Sequence, residues 1–459
     1  MLARDWNRIR QAVSRGFAGE GGAHEVSQLA WPLAVGLISY TLMGVTDTLL
    51  MAQVGTVPLA GVGLGFIFSL SAVAFFRGLV SGVQSVVAGA FGDDNTQRVR
   101  EAGSASVLIG VISGVLASLL LWLLLPVLPA MADGEGVADV AFDYASIRVY
   151  GLPFAVVGFS LVAALQGLGD TRTRMWVSLA GNVVNIVLDL ILIFGWGPIP
   201  PMGAEGAAWA TVIGSGVMMA LYAWRFRARF GPWIRPTRAV IQDTIALGLP
   251  SGGQAVLEMS AFSVVQIIVA HAGAAHLAAS QIALNIISLS FLPGFGIGEA
   301  GGVLVSRYLG ASRRPVAMRA ISSARSLALG VMGIMALIFL FGGHFIVSQF
   351  SDDPEVVSIA ADLLILAAAF QIFDALAMVH LCALRGAGDT RFTLALASSV
   401  SWGITVPLTW ALALWMGWGA PGAWLGLTLE FVVVSWLSAV RLRGLASGRV
   451  GRVDLLVGR

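Results

Sequence analysis

The chain has 459 residues, of which 57% are hydrophobic and only 11% are charged, with a mean hydropathy of +0.86. Soluble globular proteins are typically about half apolar and about a quarter charged, so this composition predicts a polytopic membrane protein. The formal net charge is only +2, and the arginines cluster in short hydrophilic connectors, which is typical of membrane topology and argues against a nucleic-acid partner.

The first 27 residues contain basic side chains but no apolar core of signal-peptide length. We expect a cytoplasmic N-terminal segment here, with residues 9–17 forming a short interfacial helix. A membrane-crossing helix needs about 20 mainly apolar residues, and twelve such spans are predicted between the hydrophilic breaks. The predicted spans are residues 28–53, 59–90, 104–127, 140–166, 174–195, 204–224, 245–270, 277–308, 321–349, 357–384, 392–416 and 422–440.

The connectors differ in charge according to their place in the chain. Arginine occurs in the N-terminal tail and after every even-numbered span, whereas the connectors that follow odd-numbered spans contain none. The 3–4 and 9–10 connectors carry acidic residues instead: Asp133, Glu135 and Asp139, then Asp352, Asp353 and Glu355. By the positive-inside rule, both termini are predicted to be cytoplasmic.

The sequence also repeats itself. The segment "LQGLGDTR" (165–172) returns as "LRGAGDTR" (384–391), and 389 − 170 = 219 gives the offset. Residues 54–65 align with 272–283 at an offset of 218, and residues 203–214 match 419–430. We therefore predict an all-α protein with two six-helix lobes, 28–230 and 231–442, followed by a cytoplasmic tail, 443–459. Because six spans return the chain to the same side, the repeat is parallel, and a cleft between the lobes is a natural place for a substrate.

Five carboxylates lie inside the predicted spans, away from their ends. They are Asp47, Asp189, Glu258, Glu299 and Asp374. An ionised side chain at a helix centre costs about 2.5–3.5 kcal/mol on insertion scales, so each is expected to face protein or water and to have a function. The alternative for any one of them is a neutral, hydrogen-bonded carboxyl that only packs two helices.

Each half of the chain holds a predicted acidic pair: Asp47 with Asp189, and Glu258 with Asp374. On a helix Asn182, Asn185 and Asp189 share one stripe, which we expect to face the lobe interior opposite Asp47. Two neighbouring carboxyls in apolar surroundings can retain a proton near neutral pH. Together with Asn185, the first pair equally offers the all-oxygen ligands that Na⁺ prefers, so the sequence leaves H⁺ and Na⁺ open.

Two further groups of residues are functional candidates: Arg77 as an additional charge, and several other side chains as contacts in a substrate cavity. Arg77 is predicted either to balance a carboxylate such as Glu299 or to reach the membrane interface, and both alternatives stay open. Polar and aromatic candidates for cavity contacts are Tyr40, Gln254, Gln281, Asn285, Phe291, Phe295 and Met378. Such side chains suit flat amphipathic cations, although core packing is the alternative for any one of them. No Cys/His cluster has the spacing of a metal site.

The segment "VTDTLLMAQVG" after a first-span proline, "QIALN" (281–285) and the duplicated "GxGDTR" resemble the multidrug and toxic compound extrusion (MATE) family over residues 28–440. The resemblance implies antiport driven by Na⁺ or H⁺ without a cofactor, and export of cationic, often aromatic drugs. It also implies a bacterial inner-membrane protein, which we expect to be a monomer. Residue by residue, the resemblance implies coupling roles for Asp47, Asn185, Asp189, Glu258 and Asp374; the last two look like the NorM branch.

Glu299 departs from the pattern of the family, where a small or apolar residue is expected. Two other functions are alternatives to drug antiport. A lipid-linked oligosaccharide flippase often has fourteen spans and a strongly cationic cavity, whereas this sequence predicts twelve spans and acidic residues. An intramembrane enzyme needs a catalytic constellation such as HExxH or GxSxG, and the sequence contains neither motif.

Overall fold

A computed structural model of the chain describes residues 19–131 and 136–448. Within these residues the regular structure is helical, and twelve helices are long and apolar enough to cross a membrane, which confirms the predicted all-α membrane fold. The predicted interfacial helix at 9–17, the acidic residues Asp133 and Glu135, and most of the 443–459 tail lie outside the described residues.

The twelve helices are numbered here in chain order. They are α1 (Ala23–Val54), α2 (Thr56–Gly92), α3 (Thr96–Leu124), α4 (Val137–Gly167), α5 (Thr171–Phe194), α6 (Gly203–Phe230), α7 (Arg238–His271), α8 (Ala274–Gly310), α9 (Arg314–Val347), α10 (Pro354–Gly386), α11 (Thr390–Trp415) and α12 (Gly419–Ala446). A short 3₁₀ helix, Leu125–Met131, continues α3.

Several helices begin well before the predicted apolar span. Helix α3 starts at Thr96 and not at residue 104, because Asn95 caps it by accepting a hydrogen bond from the Arg98 N–H at 2.9 Å. Side-chain capping satisfies a backbone donor that a helix end leaves free, so polar first turns stay helical outside the apolar run. Hydropathy reports the apolar length of a helix and misses these polar ends.

The predicted span 392–416 implied one continuous α-helix, but helix α11 is interrupted. Two π-helical segments, Ser401–Thr405 and Ala411–Trp415, interrupt it. A π-helical turn holds one residue more than an α-helical turn, and such turns are frequent at functional sites. The first of these segments presents Ser401 to the carboxyl of Glu430 on α12.

The described residues form two compact units. The N-unit comprises Val35–Phe91 and Asn95–Gly252, and the C-unit comprises the described parts of Met1–Ala34, Gly92–Asp94 and Gly253–Arg459. Helices α1 and α7 contribute to both units. Each contains a proline two residues before the division, Pro32 and Pro250, and 250 − 32 = 218 matches the repeat offset. The lobe limits 28–230 and 231–442 remain a sequence-based prediction.

Close helix packing in the N-unit positions Tyr144, which faces the carboxyls described below. A Cβ atom at Gly65 of α2 would lie 2.8 Å from Tyr144 Cδ1 and 2.9 Å from the Ala141 carbonyl oxygen. Glycine therefore lets α2 approach α4 more closely than any other residue allows, as small residues commonly do between membrane helices. The phenol ring of Tyr144 is fixed against this contact and is almost fully buried.

Candidate functional site

Asp47 and Asp189 come together inside the N-unit, although they lie on α1 and α5. Asp47 is 5% exposed, and Asp189 and Asn185 are fully buried. With the Asn185 amide oriented as a donor, its Nδ2 lies 3.0 Å from Asp47 Oδ1 and 3.1 Å from Asp189 Oδ2. The structure thus brings together the three residues that the sequence placed in one site, with the amide bridging the two carboxyls.

Asn182 completes the polar stripe of α5 and joins it to α1. Its Nδ2 donates to the Ser39 carbonyl at 3.1 Å, and Ser39 Oγ donates to the Ser178 carbonyl at 3.2 Å. Because residues at i, i+3 and i+7 share a helix face, the same rotation of α5 turns Asn185 and Asp189 toward α1. The opposite face of α5 carries exposed apolar side chains, Val183, Val187 and Leu190. The stripe faces the interior, as the sequence predicted.

Three residues of this site were missed in the sequence: Tyr144 and Arg148 on α4, and Thr211 on α6. Thr211 lies within hydrogen-bond reach of both Asp47 and Tyr144. Arg148 is buried, follows Tyr144 by one turn and interacts electrostatically with Asp47. Arg148 lies inside the predicted span 140–166, so the rule that singled out the carboxylates could have found it. Only the fold brings Tyr144 and Thr211 to the site.

Two carboxylates and one arginine give this cluster a net negative charge that one exchangeable cation can neutralise. Asp47 and Asp189 lie within hydrogen-bond reach of each other, and two carboxyls this close require a proton or a cation between them. Arg148 balances one negative charge. Asp189 Oδ1 is buried and has no hydrogen-bond partner among the described residues, so one oxygen is available to the ion. Carboxylate oxygens suit a proton or a hard cation such as Na⁺.

The C-unit contains a cavity of about 360 Å³ with acidic and aromatic walls. Gln254 and Glu258 reach it from α7, Arg385 from α10 and Glu430 from α12. Gln254 Nε2 donates to Glu258 Oε1 at 2.9 Å, and Ser401 Oγ donates to Glu430 Oε1. Glu258 interacts electrostatically with both Arg385 and Glu430. Glu430 lies inside the predicted span 422–440 and was overlooked as a sixth intramembrane carboxylate.

Within the part of the chain that it describes, the structure shows no hydrogen bond or electrostatic interaction between Glu258 and Asp374, so their pairing remains a sequence-based prediction. Asp374 is 1% exposed, and neither carboxylate oxygen has a hydrogen-bond partner among the described residues. Asp374 is also absent from the lining of the cavity that holds Glu258. Glu258 on α7 instead interacts electrostatically with Arg385 of α10 and Glu430 of α12. A coupling role for Asp374 remains a prediction, supported by its burial without a partner.

The countercharge of Glu299 within the C-unit is Arg385. Arg385 interacts electrostatically with Glu299 as well as Glu258, and Cys382 Sγ lies 3.8 Å from Glu299 Oε1. Arg77 belongs to the N-unit, where its guanidinium carbon lies 5.7 Å from the centre of the Phe159 ring. Cation–π contact with Phe159 is an environment for Arg77 that the sequence did not suggest.

The proposed substrate residues separate into three groups. Gln254, Phe291, Phe295 and Met378 line the C-unit cavity together. Gln281 and Asn285 are exposed and are not part of its lining. Tyr40 lies in the N-unit, with its ring centre 6.4 Å from that of Phe159 in an edge-to-face arrangement.

Comparison with known proteins was made for the sequence and for the fold. The family model MatE matches this chain twice, over residues 32–191 and 250–411. The two matches begin 218 residues apart, since 250 − 32 = 218, and end 220 residues apart, since 411 − 191 = 220. This duplication confirms the internal repeat predicted from the sequence.

Among curated proteins, the chain is 34% identical over 430 residues to "Multidrug resistance protein NorM" of Burkholderia vietnamiensis, covering 91% of this chain and 93% of the relative. It is 30% identical over 450 residues to "Multidrug resistance protein PmpM" of Pseudomonas aeruginosa, covering 94% and 93%. The predicted NorM-like resemblance agrees with these relatives.

Among solved structures, the fold matches an outward-facing multidrug resistance MATE family transporter of the MOP superfamily with a TM-score of 0.86, 21% identity and coverage of 94% and 97%. A MOP superfamily transporter from Pyrococcus furiosus matches with a TM-score of 0.85, 21% identity and coverage of 93% and 97%. At this identity the likeness establishes the fold alone. Because the family model covers well over half of the sequence and relatives of at least 30% identity span nearly all of it, the chain belongs to the MatE family of membrane transporters, with the NorM-like branch favoured, and is not an enzyme.

Proposed function

We propose that this protein exports several cationic, amphipathic drugs from the cytoplasm in exchange for inward H⁺ or Na⁺. The observation that carries the proposal is the buried Asp47–Asn185–Asp189 cluster, whose charge balance with Arg148 leaves room for one cation. The printed names of the curated relatives, multidrug resistance proteins, support drug efflux as the outcome of this ion exchange.

Ion loading changes the electrostatics of the N-unit. With no ion, the Asp47 and Asp189 carboxyls repel each other in a site away from water, and a proton or Na⁺ removes that cost. The loaded cluster therefore favours whichever packing of its helices buries it best. By linkage, a drug that binds the two packings unequally is released when the ion binds. The ion and the drug then need not share any atoms.

The C-unit cavity is proposed as a place where the cationic drug binds. Its acidic side chains, Glu258 and Glu430, outnumber the single cationic side chain Arg385, and its walls are aromatic. Substitution of Glu258 with Gln should weaken the binding of cationic drugs more than that of neutral ones. Asp374 is proposed as a second proton-accepting group, because its buried carboxyl has no hydrogen-bond partner among the described residues.

The proposed setting is the bacterial inner membrane, with both termini in the cytoplasm and the protein acting as a monomer. Arginine-bearing connectors after the even-numbered helices support this orientation by the positive-inside rule. The NorM relatives from bacteria such as Burkholderia vietnamiensis support the inner membrane as the location.

The test uses ethidium efflux in a host that lacks its own pumps. The wild type should lower ethidium accumulation, and Asp189→Asn should abolish efflux because the amide mimics a permanently loaded site. Asp362→Asn, an exposed carboxylate on α10, is the matched control and should transport normally. Efflux by Asp189→Asn with unchanged dependence on the ion would contradict a coupling role for this cluster.

The coupling ion is identified with purified protein in liposomes. Ethidium movement is followed while a pH gradient or a Na⁺ gradient is imposed separately at constant membrane potential. A response to one gradient that Asp189→Asn and Asp47→Asn both lose assigns that ion to the cluster. A lack of response to either gradient in the wild type would refute ion-driven antiport.

A further inference from the structure

The C-unit cavity contains hydrogen-bond acceptors that the protein itself does not fully use. Gln254 is 3% exposed and lines the cavity, and its Oε1 has no hydrogen-bond partner among the described residues. Its Nε2 is already committed to Glu258. A buried amide oxygen without a donor costs free energy, so the site is completed by a ligand that brings an N–H group.

Glu430 adds a second acceptor that is held in a fixed position. Its Oε1 accepts a hydrogen bond from Ser401 Oγ, which lies at the start of the π-helical segment Ser401–Thr405. Thr405, at the end of that segment, is also a hydrogen-bond neighbour of Glu430. Because the Ser401 hydroxyl holds one carboxylate oxygen, the carboxyl cannot swing freely, and its remaining acceptor capacity is available to a ligand in the cavity.

The electrostatics of the cavity favour a cation. Glu258 and Glu430 interact with each other electrostatically, and Arg385, which also interacts with Glu299, is the one cationic side chain in the lining. With both carboxyls ionised, the two carboxylates and one guanidinium leave a net negative charge in a largely apolar space. A singly charged organic cation neutralises it.

Aromatic rings form the remaining walls. Phe370 and Phe431 meet edge to face with ring centres 4.7 Å apart, and Phe291 and Phe295 lie 5.8 Å apart. All four rings line the cavity, whose volume of about 360 Å³ falls within the range of about 300–1,000 Å³ typical of small-molecule sites. Aromatic faces attract any cation, including a quaternary ammonium, whereas an amide oxygen and a carboxylate distinguish cations by their N–H groups.

We infer that Gln254 and Glu430 make the C-unit cavity selective for cations that carry N–H donors, such as protonated amines and amidines, over quaternary ammonium cations of equal charge. The inference rests on the proposed function and narrows its substrate class. A quaternary ammonium group places methyl groups against Gln254 Oε1 and the Glu430 carboxyl, so the buried Gln254 Oε1 stays without a donor. Sites built around such acceptors discriminate strongly against ligands that lack the donor.

The test compares two ligands with the same aromatic body, 2-(1-naphthyl)ethylammonium and its N,N,N-trimethyl analogue. Their dissociation constants for the purified full chain are measured by equilibrium dialysis at pH 7. The wild type should bind the primary ammonium about tenfold more tightly, as expected for one or two charge-assisted hydrogen bonds offset by desolvation. Glu430→Leu and Gln254→Met should each reduce this ratio to about twofold or less, as loss of the acceptor removes the discrimination.

Three controls make the result interpretable. Asp362→Asn removes a carboxylate from α10 outside the cavity and should keep the wild-type ratio. Ser401→Ala keeps Glu430 but removes its anchoring hydroxyl, so the ratio should fall to an intermediate value. Thermal unfolding of each purified variant checks its fold, and two independent cavity substitutions keep the test valid if one of them unfolds the protein.

Equal affinities of the wild type for the two ligands would overturn the inference, as would failure of the primary ammonium to bind. A wild-type ratio that persists in both cavity variants would also overturn it. The ethidium efflux assay is independent of this ratio. Efflux without the predicted discrimination refutes the N–H selectivity alone, whereas discrimination without ion-dependent efflux refutes the proposed antiport and leaves the binding site standing.

Discussion

Arg148 gives the ion site of the N-unit a permanent positive charge. It is buried, it interacts electrostatically with Asp47, and its Nε and Nη1 have no hydrogen-bond partners among the described residues. A guanidinium stays protonated at any physiological pH, so it competes with the transported ion for the same carboxyls. The affinity of the site for its ion is therefore set partly by Arg148.

We predict that Arg148→Met raises the ion affinity of the Asp47–Asp189 cluster. Removing the competing positive charge should lower the ion concentration for half-maximal ethidium transport by about tenfold, the lower end of the effect of a neighbouring charge. Initial transport rates in liposomes, measured against pH and against Na⁺, report this concentration. Arg227→Met, which removes an exposed arginine of α6, is the control and should leave it unchanged. A higher ion requirement in Arg148→Met would show that Arg148 organises the site and does not compete with the ion.

The Glu299–Arg385 pair belongs to the second half of the repeat alone. At the repeat offsets, 299 − 218 = 81 and 385 − 219 = 166, so the corresponding residues in the first half are the uncharged Ser81 and Gln166. An acid and a base thus occupy two positions where the other half has a hydroxyl and an amide. Such paired replacement is expected when each charge depends on the other for stability.

A double-mutant cycle tests this dependence. Glu299→Ser and Arg385→Gln should each lower the free energy of unfolding by roughly 1–3 kcal/mol, because each leaves a partly buried charge with less compensation. The double variant should be more stable than the sum of the single losses predicts. Thermal unfolding of purified protein gives the comparison, and strictly additive losses would mean that the two charges do not interact.

At the scale of elements, the repeated "GDTR" motif forms a helix junction in each half, with a side-chain helix cap in the first half only. Gly169 and Gly388 adopt positive φ values of 83° and 80°, which glycine tolerates without strain. Asp170 caps α5 by accepting from the Thr173 N–H at 3.3 Å and pairs with Arg225 at 3.0 Å. In the second half, Asp389 pairs with Arg441 at 2.8 Å. Each motif therefore ties the start of one helix to the last helix of its half.

Graded substitutions of Asp170 separate the contribution of helix capping from that of the ion pairs to the free energy of unfolding. Asp170→Asn keeps a good helix cap but loses the ion pairs to Arg225 and Arg229, so we expect a loss of about 1 kcal/mol in the free energy of unfolding. Asp170→Ala should lose about 1 kcal/mol more, because the cap is also removed. Unfolding in graded denaturing detergent measures both variants. Equal losses in Asn and Ala variants would show that capping contributes nothing measurable.

At the scale of the whole molecule, arginine in alternate connectors predicts which side of the membrane each connector faces. The test replaces Cys382 with Ser, since it is the single cysteine of the sequence, and introduces one new cysteine at a time. Asp352→Cys lies between α9 and α10 and should react with a membrane-impermeant maleimide added outside cells. Trp233→Cys lies in the connector between α6 and α7, where Trp233 is 58% exposed, and should react only in inverted vesicles.

The orientation prediction follows from the positive-inside rule. Reaction of Asp352→Cys exclusively in inverted vesicles would reverse the predicted topology of the whole chain. The buried Cys382 of the wild type serves as the background control and should react slowly on both sides.

The sequence by itself determined the properties that depend on short stretches of chain. Apolar runs of sufficient length predicted the twelve helices, and the duplicated motif predicted the repeat that the family model matches twice. The polar stripe formed by Asn182, Asn185 and Asp189 predicted that this face of α5 points inward. Three polar residues on one face of an apolar helix cannot all face lipid without a large cost in free energy.

The tertiary structure alone decided which helices meet at each stripe. A membrane helix is apolar on every side, so its sequence carries little information about the direction of a lone polar residue such as Glu430 or Asp374. The packing of α4 and α6 adds Arg148 and Thr211 to Asp47, and the fold of the C-unit brings Glu258 into electrostatic interaction with Glu430. These neighbours are far apart in the chain, and their meeting depends on helix rotations fixed by side-chain packing, which no local pattern in the sequence encodes.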